Sequence, residues 1–332
     1  MAETIIYSEG TTILASVCSI IFCILGVTGN FITILALIRC PKLRVHATTA
    51  FIISLSFSDF LFCAFNMPLT ASRYIQREWT LGDTLCKIFP VLFYGNVAVS
   101  VLNMVAITIN RYIIITHNAV YAKLYTKTSI FSQLFIIWAL SFLIMLPPLL
   151  GVWGTVGQNN DTFSCTILEK DGRSPKKMIF LVGFFLPVCI ITICYATIYY
   201  NVRKSRLKLA VHRMKSDNRS RRRERDDRRL TNLMFIIFIS FVLCFLPLTF
   251  VNVFEKTINI PPAVHVISSI LEWMSSVINP LIYAVSNRQY REAYAKLFNL
   301  MKTKMTYTES KQNSRPSVSD LPLKGSIIKN VP

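Results

Sequence analysis

Long apolar stretches alternate with short polar segments along the 332 residues of this chain. Seven of the stretches are long enough for a helix that crosses a hydrocarbon core of about 30 Å, which takes about 20 residues. They cover approximately residues 13–38, 48–72, 84–115, 129–151, 177–202, 230–254 and 262–285. Their residues do not alternate as barrel strands do, and a helix satisfies its own backbone hydrogen bonds in lipid. The pattern therefore predicts an all-α membrane protein, a bundle of seven transmembrane helices.

The polar segments at the two ends divide the chain into four parts. We predict an extracellular amino-terminal segment at 1–12, a seven-helix domain at 13–286, a short amphipathic helix 8 at 287–300 and a disordered tail at 301–332. The first dozen residues lack Lys and Arg and a small-residue cleavage site, so no separate signal peptide is expected. In helix 8 the side chains of Tyr290, Leu297 and Phe298 are predicted to lie in the membrane interface, in contact with lipid.

Basic residues are concentrated in a few of the polar segments. The chain is 53% hydrophobic, yet it has 36 Lys and Arg against 17 Asp and Glu, a net charge of +19. Most of the basic residues fall at 203–229 and after residue 287. Membrane orientation follows such a bias, so we expect a plasma-membrane protein with its amino terminus outside and its carboxyl terminus in the cytoplasm. The Arg-rich run at 219–229 is interpreted as a solvated loop between two membrane helices, and no nucleic-acid partner is expected.

Nine cysteines are present, and their depth in the predicted membrane separates them. Only Cys86 and Cys165 reach the oxidising outer face, so they are predicted to form a disulfide. That bond would hold the second outer loop across the top of the third helix. In the same loop Asn160 begins an Asn-Asp-Thr triplet and is a predicted glycosylation site.

Polar side chains inside the apolar stretches carry a functional signal, because each is expensive to place in lipid. Five of them are predicted to form one buried cluster that holds a sodium ion or ordered water: Asn30, Asp59, Ser100, Ser275 and Asn279. Asp59 and Ser100 are the proposed metal ligands of that cluster. In the alternative interpretation, the Asn and Asp side chains only join helices by hydrogen bonds. No other cofactor is expected.

Short motifs follow one another in a fixed order along the chain. They are Gly29-Asn30, Ser54 to Asp59, Trp79 to Gly82, Cys86, Asn110-Arg111-Tyr112, Trp138, Pro187, Tyr195, Phe241, Cys244 to Pro247, and Asn279-Pro280-Leu281-Ile282-Tyr283. Together they resemble the rhodopsin-like (class A) G-protein-coupled receptors from about residue 13 to 300. The segments Ser164 to Ile167, Gly172 to Lys176 and Cys194 to Ala196 give a closer resemblance to the insect moody and trapped-in-endoderm receptors, relatives of the melatonin receptors.

The resemblance implies a receptor rather than an enzyme. An unidentified extracellular ligand would activate a heterotrimeric G protein of the inhibitory type, with control of the actin cytoskeleton. The Ser- and Thr-rich tail predicts phosphorylation by a receptor kinase and recruitment of arrestin. The residues predicted to couple to the G protein and to switch are Asn110, Arg111, Tyr112, Tyr195, Asp227, Phe241, Phe245, Pro247, Asn279, Pro280 and Tyr283. The alternative function is a multi-pass transporter or channel, but internal repeats and an Arg-rich transmembrane helix are missing from the sequence.

Several positions depart from the family pattern. Asn110 replaces the acid that usually precedes the Arg, and Phe245 replaces the usual Trp of the sixth helix. Phe93 stands where amine receptors carry an Asp, which argues against a biogenic amine bound by that salt bridge. Trp273 occupies the retinal-attachment position, so the chain is not an opsin.

The missing acid leaves Arg111 in need of a more distant partner. Asp227 lies 20 residues before Pro247 and is predicted to reach the cytoplasmic end of the sixth helix. The alternative is that Asp227 pairs with Arg223 or Arg228 on its own helix.

A ligand pocket is predicted among residues that face the bundle interior near its outer end. They are Phe93, Tyr94, Val97, Phe245, Thr249, Glu272 and Trp273. A carboxyl inside the membrane indicates function. The alternative for Glu272 is a protonated acid bonded to a neighbouring helix. Arg73 is interpreted either as a ligand anchor or as an exposed side chain that extends to the membrane surface.

Overall fold

Helices form wherever the chain has its long apolar stretches. The computed structural model describes residues 7–44, 46–211, 218–254 and 260–313, without the side chains of 161, 204–211, 218–227 and 301–313. In this described part seven helices are long and apolar enough to cross a membrane, and we number them spans 1 to 7: Glu9–Arg39, Ala47–Gln76, Gly82–Thr116, Lys127–Leu149, Lys176–Arg203, Arg228–Phe254 and Pro262–Ser286. The predicted seven-helix bundle is confirmed.

Shorter elements join and interrupt the spans. In chain order the elements are α1 (Glu9–Arg39), α2 (Pro41–Arg44), α3 (Ala47–Leu61), a π-helical turn (Phe62–Asn66), α4 (Met67–Gln76), α5 (Gly82–Thr116), α6 (Asn118–Leu124), α7 (Lys127–Leu143), α8 (Leu146–Leu149), β1 (Thr155–Asn159), a 3₁₀ turn (Asn160–Thr162), β2 (Ser164–Leu168), α9 (Lys176–Val211), α10 (Asn218–Phe254), α11 (Pro262–Ser286) and α12 (Arg288–Asn313). Strands β1 and β2 pair antiparallel as a hairpin, with Thr155 opposite Leu168. We call the end of the bundle that carries this hairpin the hairpin end.

Span 2 contains an irregular turn that the apolar pattern does not reveal. The backbone N–H of Met67 bonds to the carbonyl of Phe62, five residues earlier. Pro68 follows at once; it has no N–H to donate, and its ring crowds the preceding turn of a regular helix. The wider π-helical turn accommodates the proline and sets the direction of α4. Through this turn, span 2 positions Arg73 and Tyr74 under the hairpin.

Buried apolar side chains form two main groups that divide the bundle along its length. The larger group joins the spans in the half away from the hairpin and includes Tyr195, Phe241 and Tyr283. The second lies nearer the hairpin end and includes Tyr74 and Trp273.

Helix α12 is longer than expected. It continues to Asn313, so the predicted boundary at residue 300 is too early. No Gly or Pro occurs between Arg288 and Asn313 to stop the helix. The lipid contact predicted for Tyr290 and Leu297 is also wrong, because both are 1% exposed and pack on the larger core group, whereas Phe298 is exposed.

Candidate functional site

Asp59 is the centre of a hydrogen-bonded group that joins spans 2, 3 and 7. Ser100 Oγ donates to Asp59 Oδ1 at 2.9 Å, and Asn279 Nδ2 donates to Asp59 Oδ2 at 2.8 Å. These three residues and Ser275 line a small cavity. Asn30 does not bond to Asp59; its amide donates instead to backbone carbonyls of Gly26 and Ser276, both at 2.9 Å. The structure therefore brings four of the five predicted cluster residues together and assigns Asn30 to the packing of spans 1 and 7.

The groups around this cavity suit a small hard cation. Asp59 supplies a carboxylate, and Ser100 and Ser275 supply hydroxyl oxygens. Oxygen ligands of this kind are the ones that hard cations prefer. The residues thus fit a sodium ion, which would lie between spans 2, 3 and 7, and this site stays a prediction.

Arg111 is held inside the bundle at the end away from the hairpin. Its side chain is 2% exposed, and Arg111 Nη2 donates a hydrogen bond to Thr48 Oγ1. The Thr48 hydroxyl in turn donates to Asn110 Oδ1 at 2.6 Å. One hydroxyl on span 2 thus connects two neighbouring side chains of span 3, and we call this arrangement the Thr48 bridge. The side chain of Asp227 lies outside the described residues, so its pairing with Arg111 stays a prediction.

Two tyrosines of the loop after span 3 complete the surroundings of Asn110. Its Nδ2 donates to the hydroxyl of Tyr121 at 3.5 Å, and the rings of Tyr121 and Tyr125 stack with centroids 4.9 Å apart. Burial raises the pKa of the Tyr125 phenol, so the stacked ring stays uncharged. Asn110 therefore links span 2 to this loop without any charge of its own.

Aromatic side chains surround Arg111 and continue toward the middle of the bundle. Tyr195 and Tyr290 are both close enough to Arg111 for an electrostatic interaction. Tyr283 stacks on Tyr290 with centroids 5.3 Å apart. The structure thus brings the predicted switch residues Arg111, Tyr195 and Tyr283 to one region, whereas Tyr112 is half-buried beside it.

Two prolines lie inside the helices that are predicted to move. Pro247 is in α10, two residues after Phe245, whose ring lies 4.5 Å from that of Phe241. Pro280 is in α11, directly after Asn279. Both phenylalanines and Asn279 line the cavity next to Asp59, so movement of span 6 about Pro247 would change the shape of that cavity.

The predicted ligand-pocket residues lie nearer the hairpin, where aromatic rings fill the bundle. Trp273 contacts Tyr74 edge-on with centroids 6.1 Å apart, and Phe93 lies 5.2 Å from Phe62. The hydroxyls of Tyr94 and Thr166 are 3.2 Å apart, which ties span 3 to the hairpin. Val97 packs against both apolar groups, and Phe245 and Thr249 are buried on span 6.

The hairpin and the start of the chain cover this region. The predicted disulfide is confirmed: Cys86 and Cys165 are bonded and join span 3 to β2. Phe163, at the hairpin tip, packs 5.5 Å from Tyr7, which is 4% exposed. Tyr7 also packs 6.3 Å from Tyr74. Asn160 is exposed at the same tip, where a glycan has room.

Arg73 is part of this cover and not an exposed surface residue. It is 7% exposed, its Nη1 donates to the carbonyl of Thr162 at 2.8 Å, and its guanidinium lies 4.4 Å from the ring centre of Tyr74. The interpretation as a side chain extending to the membrane surface is therefore wrong, because the guanidinium is buried and bonds to the hairpin backbone.

Sequence reasoning missed four residues that the structure places at these sites. They are Tyr7, Thr48, Tyr74 and Phe163. Each contacts a residue more than 60 positions away in the chain, and no local spacing predicts such a contact. For Tyr7 the sequence offers one signal, an aromatic side chain two positions before the first helix.

Known proteins resemble this chain over nearly its whole length. The family model described as "7 transmembrane receptor (rhodopsin family)" matches residues 29–283. "Protein trapped in endoderm-1" of Drosophila melanogaster is 49% identical over 318 residues, which is 90% of this chain and 80% of that protein. "G-protein coupled receptor moody" of the same organism is 32% identical over 372 residues, or 95% of this chain and 55% of that longer protein.

Solved structures show the same architecture. The crystal structure of squid rhodopsin superposes with a TM-score of 0.78 over 96% of this chain and 99% of that one. Sequence identity is 23%, so this likeness concerns the fold alone. It agrees with the order of the seven spans.

Proposed function

Because the chain belongs to the rhodopsin family of seven-transmembrane receptors, we propose that it activates a G protein of the inhibitory type when an extracellular ligand binds. It is a G-protein-coupled receptor and a multi-pass membrane protein. Its resemblance to the insect receptors supports an output on the actin cytoskeleton. We set aside a transporter or channel, because the family match covers most of the helical bundle.

The Thr48 bridge is the observation that carries the proposal. A G protein must bind at the end of the bundle that is opposite the ligand, and a two-state change must open that end. Arg111 is buried there between spans, and a neutral hydroxyl holds it. When that end opens, the guanidinium can leave the Thr48 hydroxyl for a new partner. The G protein supplies that partner when span 6 moves.

The hairpin end is the extracellular end in this proposal. The disulfide and the exposed Asn160 suit the oxidising, glycosylating side of a plasma membrane. The basic segments then face the cytoplasm, in line with the distribution of Lys and Arg. Membrane lipids contact the exposed apolar side chains of the spans, and a receptor kinase and arrestin bind the tail after activation.

Arg111→Ala tests the assignment. Purified receptor and inhibitory-type G protein are combined in lipid nanodiscs, and receptor-catalysed nucleotide exchange is measured with and without candidate ligands. We expect the variant to lose exchange while its surface expression stays normal, since the G protein contacts Arg111 in the open form. Arg44→Ala, on the neighbouring loop, is the matched control and should retain exchange. Full exchange by the Arg111 variant would refute the assignment.

A further inference from the structure

Four charged side chains are buried in the part of the chain that the structure describes: Asp59, Arg73, Arg111 and Glu272. The first three have hydrogen-bond partners within the protein. Glu272 differs, because its Oε2 accepts no hydrogen bond from the described residues. Burying a carboxylate without a partner is costly. A buried acid of this kind indicates a site whose partner arrives from outside.

Glu272 points into the bundle and not toward lipid. It is 2% exposed, and it lies near the thiols of Cys63 in span 2 and Cys244 in span 6. Ser275, one turn further along span 7, lines the cavity that leads to Asp59. Glu272 therefore lies between spans 2, 6 and 7, at the hairpin side of that cavity.

The surroundings of Glu272 favour a positive group. Its chain neighbour Trp273 belongs to the aromatic group with Tyr74, and aromatic faces attract cations. Arg73 donates to the carbonyl of Thr162 in the hairpin and lies over the ring of Tyr74. It therefore does not supply the counter-charge of Glu272. An anionic ligand would instead meet an uncompensated carboxylate.

We propose that Glu272 receives the protonated amino group of the receptor's ligand, an organic cation with an aromatic or apolar body. The proposal rests on the receptor function proposed above. Phe93 on span 3 carries no charge, and Glu272 on span 7 is the buried acid at the hairpin side of the cavity. The ligand body packs on Trp273 and Phe93, and its cationic end points toward the cavity below.

Three probes of one shape and different charge test the proposal: phenylethylamine, phenylethanol and phenylacetate. Purified full-length receptor is titrated with each, and the rise in its melting temperature is measured. A hydrogen bond to a charged group favours the amine over the alcohol by about tenfold or more in half-stabilising concentration. We expect that preference in the natural receptor and its loss in Glu272→Gln, whereas Glu272→Asp keeps much of it.

An exposed acid at the hairpin end provides the matched control. Glu9→Gln should leave the preference for the amine unchanged, because Glu9 lies on the surface and pairs with Arg77. Asp59→Asn tests whether the acid deeper in the bundle holds the amine instead. The proposal is overturned if amine and alcohol act alike on the natural receptor, if phenylacetate acts best, or if the preference survives Glu272→Gln. Loss of the preference in Asp59→Asn alone would assign the amine to the deeper site and overturn it too.

The melting measurement needs no G protein, so it fails or succeeds independently of receptor function. A receptor that prefers the amine but never catalyses nucleotide exchange would refute the proposed function and leave the site intact. A receptor that catalyses exchange without preferring the amine would refute the site alone. Melting of Glu272→Gln without any probe shows whether that variant is folded.

Discussion

Arg111 donates a hydrogen bond to the hydroxyl of Thr48, and this neutral contact replaces the ion pair that an acid at position 110 would provide. The same hydroxyl donates to Asn110 Oδ1, so the Thr48 bridge fixes both side chains. A hydrogen bond to a charged group contributes about 1.5–3 kcal/mol, whereas an exposed ion pair contributes about 0–1 kcal/mol. A buried neutral bridge therefore holds the resting form at least as firmly as an exposed Arg–Asp pair.

Thr48→Val should raise ligand-free signalling. Valine keeps the shape of threonine but neither accepts from Arg111 nor donates to Asn110. Loss of about 1.5 kcal/mol from the resting form shifts a two-state equilibrium about tenfold. Basal nucleotide exchange at matched surface expression measures the change. Thr48→Ser keeps the hydroxyl and should stay near the natural value; equal basal exchange in Val and Ser variants would contradict the bridge.

Asn110→Asp should have the opposite effect. The new carboxylate can still accept from Thr48, and it adds a negative charge beside Arg111. We expect basal exchange to fall by a few-fold, since the resting form gains a close ion pair. The double variant with Thr48→Val separates the two contributions. The added charge should reverse part of the rise in basal exchange that the valine causes. An increase in basal exchange for Asn110→Asp would show that the acid does not hold Arg111 in this chain.

The helix pattern and the short motifs predicted most of the architecture, because apolar length and local spacing determine both. Arg111 and Asn110 were found in this way, since they are adjacent in the chain. Thr48 was not predicted, because threonine is common in helices and its contact with Asn110 joins positions 62 residues apart. The π-helical turn before Pro68 was also missed, since an apolar pattern reports only the length of a span.

The sequence also misassigned residues whose environment depends on other elements. Asn30 is polar and buried, as the cluster required, but the packing of span 1 on span 7 directs its amide to Ser276. The sequence pattern indicates that Arg73 is an exposed cation, but in the fold the hairpin covers it. Burial in each case comes from an element far away in sequence, which a pattern within one helix does not contain.

Sodium should stabilise the resting receptor through the Asp59 cavity. Melting temperatures are compared in sodium chloride and in potassium chloride of equal ionic strength. A ligand that binds only the folded resting form at tenfold above its dissociation constant adds about 1.4 kcal/mol. We expect Asp59→Asn and Ser275→Ala to lose the sodium-dependent shift. Asn30→Ala should keep it even if the variant is less stable, since Asn30 bonds elsewhere. A sodium-dependent shift that persists in Asp59→Asn would show that sodium does not bind at this site.

Gly26 in span 1 packs tightly against Cys63 in span 2. A Cβ at this position would lie 2.2 Å from Cys63 Sγ and 2.9 Å from Cys63 Cβ, whereas a Cβ at Gly183 in span 5 meets nothing within 4 Å. Gly26→Ala should therefore destabilise the receptor by about 1–3 kcal/mol, as overpacking does. Gly183→Ala should leave the melting temperature unchanged or slightly raised.

Removing the neighbour tests the cause of that loss. In the double variant Gly26→Ala with Cys63→Ala the sulfur is gone, so the shorter clash disappears while the Cβ–Cβ contact of 2.9 Å stays tight. We expect part of the lost melting temperature to return. Cys63→Ala alone should lower it only modestly, and the two changes should be clearly non-additive because their side chains touch. Additive losses, or equal melting of Gly26→Ala and Gly183→Ala, would mean that spans 1 and 2 are not packed through this glycine.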